Sequence, residues 1–360
     1  MSSSRSSRSR RVGLVWIVLT VVLALVAGVA TGTGNGATAA TPKAPKPLSA
    51  AAWKALIAKA KAEGSVTIYT VGAPANYANL AKGFKDLYGI DVVVNRKVDN
   101  DLLVQINAEQ STGKAIADIW VPATKGIVLG ALKNGWVVDA VGPNFFNKRF
   151  DRTKLMVGKG WIPGSALLGM AWNTSCFPQG VKDIPDFLNP AFKGRLGVSD
   201  PRISPAQVDW YNWLEKTYGN NILARLAAQK PKIYGSSLTA AQAVASGEIC
   251  GAAQAAGSTA LELKAKGAPI EYKLANNGNN WNAAYIGMIL KQAPHPNAAQ
   301  LLANYIVSPA GQAFHNQGLG AIYKDIPGTF YSPPRVARAN DLAPAKVKAF
   351  VERWSSLFLS

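Results

Sequence analysis

From Ser49 the apolar positions first repeat at helical spacing and then change period. Trp53, Leu56, Ile57 and Ala60 fall on one face of a segment closed by Gly64, which predicts a short amphipathic helix. Val66-Thr67-Ile68-Tyr69 is β-rich, Tyr77, Leu80, Phe84 and Leu87 return to the helical period up to Gly89, and Ile90 to Val94 reads as a second buried strand. Together they make one βαβ unit. A helix from Asp101, with Leu102, Leu103 and Ile106 on one face, leads to a third strand at Asp118-Ile119-Trp120-Val121. Right-handed crossovers would lay these strands parallel in one sheet.

A second strand and helix series follows. It comprises Leu167 to Trp172, Arg195 to Ser199, a helix from Pro205, and Glu248 to Ala253. After an asparagine-rich loop, Ala283 to Leu290 reads as one strand and Asn297 to Val307 as a helix with Leu301, Leu302, Tyr305 and Ile306 together. The last helix carries Val347, Phe350, Val351 and Trp354, and no internal repeat is found. The fold class is therefore α/β.

The first forty residues follow another logic. Arg5, Arg8, Arg10 and Arg11 precede an uncharged apolar run from Val12 to Ala30, and Ala37-Thr38-Ala39 offers a small-residue cleavage site. Residues 1–40 read as a secretory signal peptide; the run is also close to a bilayer span, so a retained, uncleaved anchor stays open. Residues 41–48, TPKAPKPL, form a proline and lysine linker of extended character. The chain is thus expected to be exported, periplasmic or at the cell surface.

Composition adds charge. The 360 residues carry a formal +19; without the leader's four arginines, 35 basic residues face 20 acidic ones, a formal +15. Such a balance attracts anionic solutes, anionic surfaces or nucleic acid. Export, and the lack of a basic run or an aromatic RNA-binding signature, argue against nucleic acid. Cys176 and Cys250 are the two cysteines: in an exported chain they suggest a disulfide, with buried free thiols as the alternative.

Taken in order, KAEGSVTIYT with FKDLYGIDVVV, then ADIWVPA, IPDFLNPAFKGRLGVSDPR, AAQAVASGEI and HPNAAQLLANYIVSPAGQAF resemble the extracellular solute-binding proteins of bacterial ABC importers. That family includes ferric-iron, thiamine, polyamine and phosphonate binders. The resemblance implies a two-lobed, type II periplasmic-binding-protein-like fold with a hinge and a ligand cleft between lobes. It implies a discontinuous first lobe, 49–165 and 284–360, and a second lobe, 166–283. It also implies a monomer without a cofactor, whose partners are a small-molecule solute and a membrane permease.

Laid on this chain, the family's iron-binding pattern puts Ala73 at the histidine, Ala123 at the glutamate, and Gly257 and Ser258 at the tyrosine pair. None of these supplies the anionic oxygen a ferric ion needs. The loops instead hold small polar residues: Thr70, Thr124-Lys125, Ser236-Ser237, Gly257-Ser258-Thr259 and the run from Asn276 to Asn282. Hydroxyls and amides at helix starts suit an oxyanion. Ser204-Pro205 is a strong helix start with Arg202 just upstream, and Arg202 could grip an anion bidentately unless it pairs with Asp200 or Asp209.

The expected ligand residues are Arg202, Ser204, Ser237, Ser258, Thr259, Trp281 and Asn282, with a phosphonate, phosphate ester or carboxylate as solute. The alternatives are an organic cation stacked on Trp281, a ferric complex, or an exported basic surface-interaction protein. Trp210 and Trp213 sit at helical spacing with Leu214 and belong to the core. No enzyme is expected: His295 lies between two prolines, His315 follows Phe314 in a helix, and neither stands near a candidate nucleophile in the sequence. There is no HExxH or CxxC, and the GTGNG of Gly32 to Gly36 belongs to the leader.

Overall fold

The computed structural model describes residues 45–276, 280–315, 318–331 and 342–360. The expected signal peptide, the first half of the linker, and Asn277, Gly278 and Asn279 of the asparagine-rich loop lie outside the described residues, as does the side chain of His315.

The first sheet has five strands in the order β2-β1-β3-β13-β4. β1 (Ser65–Thr70) lies between β2 (Asp91–Arg96) and β3 (Ile119–Val121), parallel to both. β13 (Met288–Leu290) runs antiparallel to β3 and to β4 (Val137–Val138). Helix α1 (Ala50–Glu63) starts at Ser49, whose hydroxyl accepts from the Ala52 amide. α2 (Pro74–Tyr88) ends at Gly89, a left-handed residue at φ 73°, a conformation that costs glycine nothing. α3 (Asp99–Thr112) and α4 (Lys125–Lys133) complete the first crossovers. Tyr77, Leu80 and Phe84 are buried as their spacing predicts, whereas Leu87 is exposed. The expected buried strand at Ile90 to Val94 is instead the sheet's edge, with Val93 turned to solvent: partners lie on one side of it only.

After α5 (Arg152–Leu155) and the small hairpin of β5 (Met156–Val157) and β6 (Gly160–Trp161), the chain crosses on its longest strand, β7 (Ser165–Asn173). The start of β7 pairs with β12 (Asn282–Ala284) and β14 (Leu319–Ala321), and its remainder with β10 (Gly251–Ala256) and β11 (Ile270–Lys273). β8 (Leu196–Ser199) and β9 (Lys232–Tyr234) extend the sheet beyond β10 in parallel register, and β15 (Phe330–Tyr331) closes its other edge. Helices α6 (Pro205–Tyr218), α7 (Ile222–Ala227), α8 (Ser237–Ala245) and α9 (Gly257–Ala265) belong to this second half. The chain therefore goes out on β7 and returns on β12, side by side.

Three expectations are corrected. The apolar run from Ala283 to Leu290 is two strands, because β12 pairs with β7 while β13 pairs with β3. The strand expected from Glu248 starts at Gly251. The C-terminal helix α12 (Pro344–Phe358), expected with the first lobe, packs on α6 and α7 instead: Phe350 and Trp354 meet the Tyr211 ring, and Arg353 forms two hydrogen bonds with Glu215. α10 (Pro296–Ile306), followed by α11 (Pro309–Gln312), does pack on α1, β1 and β13. Cys176 and Cys250 are joined in a disulfide with 5.5 Å between Cα atoms.

Candidate functional site

A cleft of about 770 Å³, counting its open mouth, lies where the carboxyl ends of the first-sheet strands face β7 and the second half's helix starts. Val71 and Ala73 follow β1, Arg96 ends β2, Ala123 follows β3, and Ala166 to Leu168 come from β7. Strand carboxyl ends and helix amino ends meet here because every crossover places them on the same side of its sheet.

The helix starts are the site's main electrostatic feature. Ala73, Val98, Ser204, Ser236 and Ala256 line the cleft, and they are the N-cap residues of α2, α3, α6, α8 and α9. The hydroxyls of Ser204 and Ser236 accept from Ala206 and Thr239, whereas Ala73, Val98 and Ala256 have no side chain to offer. Amide hydrogens in those first turns thus lack side-chain acceptors, and the helix dipoles bias the cleft toward negative charge.

Among the described residues, two charged groups line it, Arg96 and Asp99. Asp99 is buried; it accepts from Thr124 Oγ1 at 2.5 Å, Ala123 N at 3.2 Å and Ser204 Oγ at 3.4 Å. The last of these joins the two halves across the cleft. Burial pushes the Asp99 carboxyl above the ordinary carboxylate range, against the pull of those hydrogen bonds. Arg96 Nε, Ser258 Oγ and Gln207 Oε1 are buried lining atoms with no hydrogen-bond partner among the described residues.

The expected residues divide. Ser204, Ser237, Ser258 and Trp281 line the cleft; the Trp281 indole nitrogen donates to Asp209 at 2.8 Å, leaving the ring's apolar surface for the cavity. Thr259 and Asn282 are buried beside it but outside its lining. Arg202 stands outside the lining, against expectation: its side chain is half exposed and turned onto Asp200, which takes Nε at 2.9 Å and Nη2 at 2.6 Å. Asp200 also caps the Arg202 amide at 2.8 Å, so one carboxylate fixes both ends of the residue. Arg96 and Asp99 went unrecognised, although they end the second strand and open the next helix, positions of the same kind as those weighed after the first and third strands.

Ala73, Ala123, Gly257 and Ser258, which the family resemblance sets against iron ligands, all line the cleft. Among the described residues no cluster of three or more histidine, cysteine or carboxylate side chains could hold a metal. Tyr77 packs edge-on against Phe314, and Trp210, Tyr211 and Trp213 are core.

Far from any nucleophile in the sequence, His295 nevertheless meets one in the fold. His295 Nδ1 lies 2.9 Å from Asp118 Oδ2 and its Nε2 lies 3.4 Å from Ser65 Oγ, so a Ser-His-Asp line exists. Ser65 begins β1, about 20 Å of strand away from the cleft end. The amides of Asn297 and Ala298, the nearest helix-start donors, are held by the Glu63 carboxylate. An oxyanion there would meet a negative charge in place of donors.

A family model described as bacterial extracellular solute-binding protein matches residues 66–318. Among solved structures, a substrate-binding protein of an ABC transporter from Agrobacterium tumefaciens is 13% identical with a TM-score of 0.68, over 82% of this chain and 94% of that one. The periplasmic binding protein AfuA from Actinobacillus pleuropneumoniae, with fructose-6-phosphate bound, is 19% identical with a TM-score of 0.63, over 82% and 99%. Iron-bound HitA from Pseudomonas aeruginosa is 20% identical with a TM-score of 0.59, over 82% and 98%. No curated protein matches the chain significantly.

Proposed function

The chain belongs to the bacterial extracellular solute-binding proteins, and from that premise we propose that it captures a small anionic solute in the cleft and presents it to the permease of an ABC importer. The observation that carries the anionic reading is the convergence of five helix amino ends on the cleft that Arg96 also lines. Such ends stabilise negative charge, and a guanidinium can add a charge-assisted hydrogen bond. The likeness to AfuA, which carries fructose-6-phosphate, supports an anion of phosphate-ester, phosphonate or carboxylate type. Asp99 and Trp281, which line the same cleft, favour a second reading, an organic cation held between a carboxylate and a ring.

The lobes of this reading meet where β7 and β12 pair, at 165/166 and 283/284, and closure about these strands buries the solute. The Asp99–Ser204 contact then belongs to the closed state. The protein works as an exported monomer without a nucleic-acid partner and without turnover.

A thermal-shift panel of phosphonates, sugar phosphates, carboxylates, thiamine, polyamines and ferric complexes tests the function. The true solute at a hundredfold excess over its dissociation constant raises stability by about 2.7 kcal/mol. Arg96→Ala weakens an anion by about 1.5 to 3 kcal/mol. Unchanged binding by that variant rejects the anionic reading.

A further inference from the structure

The cleft is more apolar than its loops suggest. Leu167, Ile203, Leu238, Trp281 and Leu319 line it, and the Trp281 N–H is already spent on Asp209. Against this stand one cation, Arg96, and the buried carboxyl of Asp99. Buried lining atoms without a partner among the described residues are Arg96 Nε and Ser258 Oγ, which can donate, and Gln207 Oε1, which accepts.

These features bear on which anion fits. A phosphate dianion would bring two charges to a cleft lined by one guanidinium and one carboxyl among the described residues, and like charges in a partly dry cleft repel strongly. A sugar hydroxyl that came to lie against these apolar side chains would lose its hydration without compensation. An apolar ring or branched chain finds contact along them instead.

We propose that the solute is an organic monoanion with an apolar, ring-sized body, an aromatic or branched aliphatic carboxylate. Its head sits on Arg96 and the neighbouring helix amino ends, and its body lies against Trp281, Leu238 and Leu319. A single hydroxyl or N–H on that body would satisfy Gln207. This rests on the anionic reading above and narrows it.

Calorimetric titration of the intact chain with benzoate, phenylacetate, fructose 6-phosphate, inorganic phosphate and thiamine tests it. Benzoate or phenylacetate is expected to bind at least about tenfold tighter than either phosphate, and Leu238→Asn to weaken that binding about tenfold by removing apolar contact. Tighter binding of fructose 6-phosphate or inorganic phosphate overturns this inference and leaves the anionic reading standing. Binding of thiamine alone overturns both. Failure of both carboxylates to bind the unsubstituted protein overturns the inference whatever the variant does.

Discussion

On the proposed anionic reading, Arg96 works where the backbone has already prepared the ground. The helix starts that line the same cleft favour negative charge before any side chain is counted, so on that reading one guanidinium suffices to fix the position of an anionic head. Gly318 shows how closely the cleft rim is built. It holds φ 88°, and a Cβ there would meet the Gly257 carbonyl carbon at 2.4 Å and the Ser258 nitrogen at 2.6 Å. Both atoms are backbone at the start of α9, so neither yields cheaply. Gly318→Ala is expected to lose about 2 kcal/mol or more of stability, measured by denaturant unfolding, from left-handed strain and displacement of that helix start. Ser204, Ser237, Ser258 and Trp281 could be picked from sequence because caps and asparagine-rich loops have local signatures. Arg202 could not be settled that way: whether a guanidinium faces a cleft or its neighbour two residues away depends on the turn at Pro201, whose N-cap is Asp200.

Among the elements, local period is legible where a segment packs in one environment and fails where it changes partners. The run from Ala283 to Leu290 is uniformly apolar and buried, yet between its halves Tyr285 N donates to Gly164 O and Ile286 N to Pro122 O as the chain leaves one sheet for the other. Apolar content records burial, not which sheet does the burying. β2 shows the converse, since Val92 to Val94 has the composition of a central strand but takes the edge. The Cys176–Cys250 bond ties the loop after β7 to the residue before β10 across a sequence separation of 74. On chain entropy alone a loop of that length contributes about 4 kcal/mol. Cys176→Ser with Cys250→Ser, or reduction, should lower the denaturation midpoint accordingly; an unchanged midpoint would show that the reduced chain is as constrained as the oxidised one.

The whole molecule buries many phenols, and this sets its alkaline limit. Burial, reinforced by Glu109, pushes Tyr69 up to about 12, and burial pushes Tyr323 up to about 12 as well. Tyr77, Tyr211, Tyr272 and Tyr285 are raised further, mainly by desolvation. In the unfolded chain these groups titrate near 10, so above that pH the unfolded state holds fewer protons and stability falls as pH rises. Phenolate absorbance should therefore appear late and together with loss of circular dichroism; early, non-cooperative titration would contradict the burial. The sequence by itself determined the α/β alternation, the helix caps and the resemblance that places the chain among solute-binding proteins, because caps, turns and periodicity act over a few residues. Only the tertiary structure decided that Arg96 and Asp99 face the cleft while Arg202 does not, that the C-terminal helix sits on α6 and α7, and that small polar loops and apolar side chains line one cleft. These depend on which surfaces meet across long stretches of chain, and no local signal carries that.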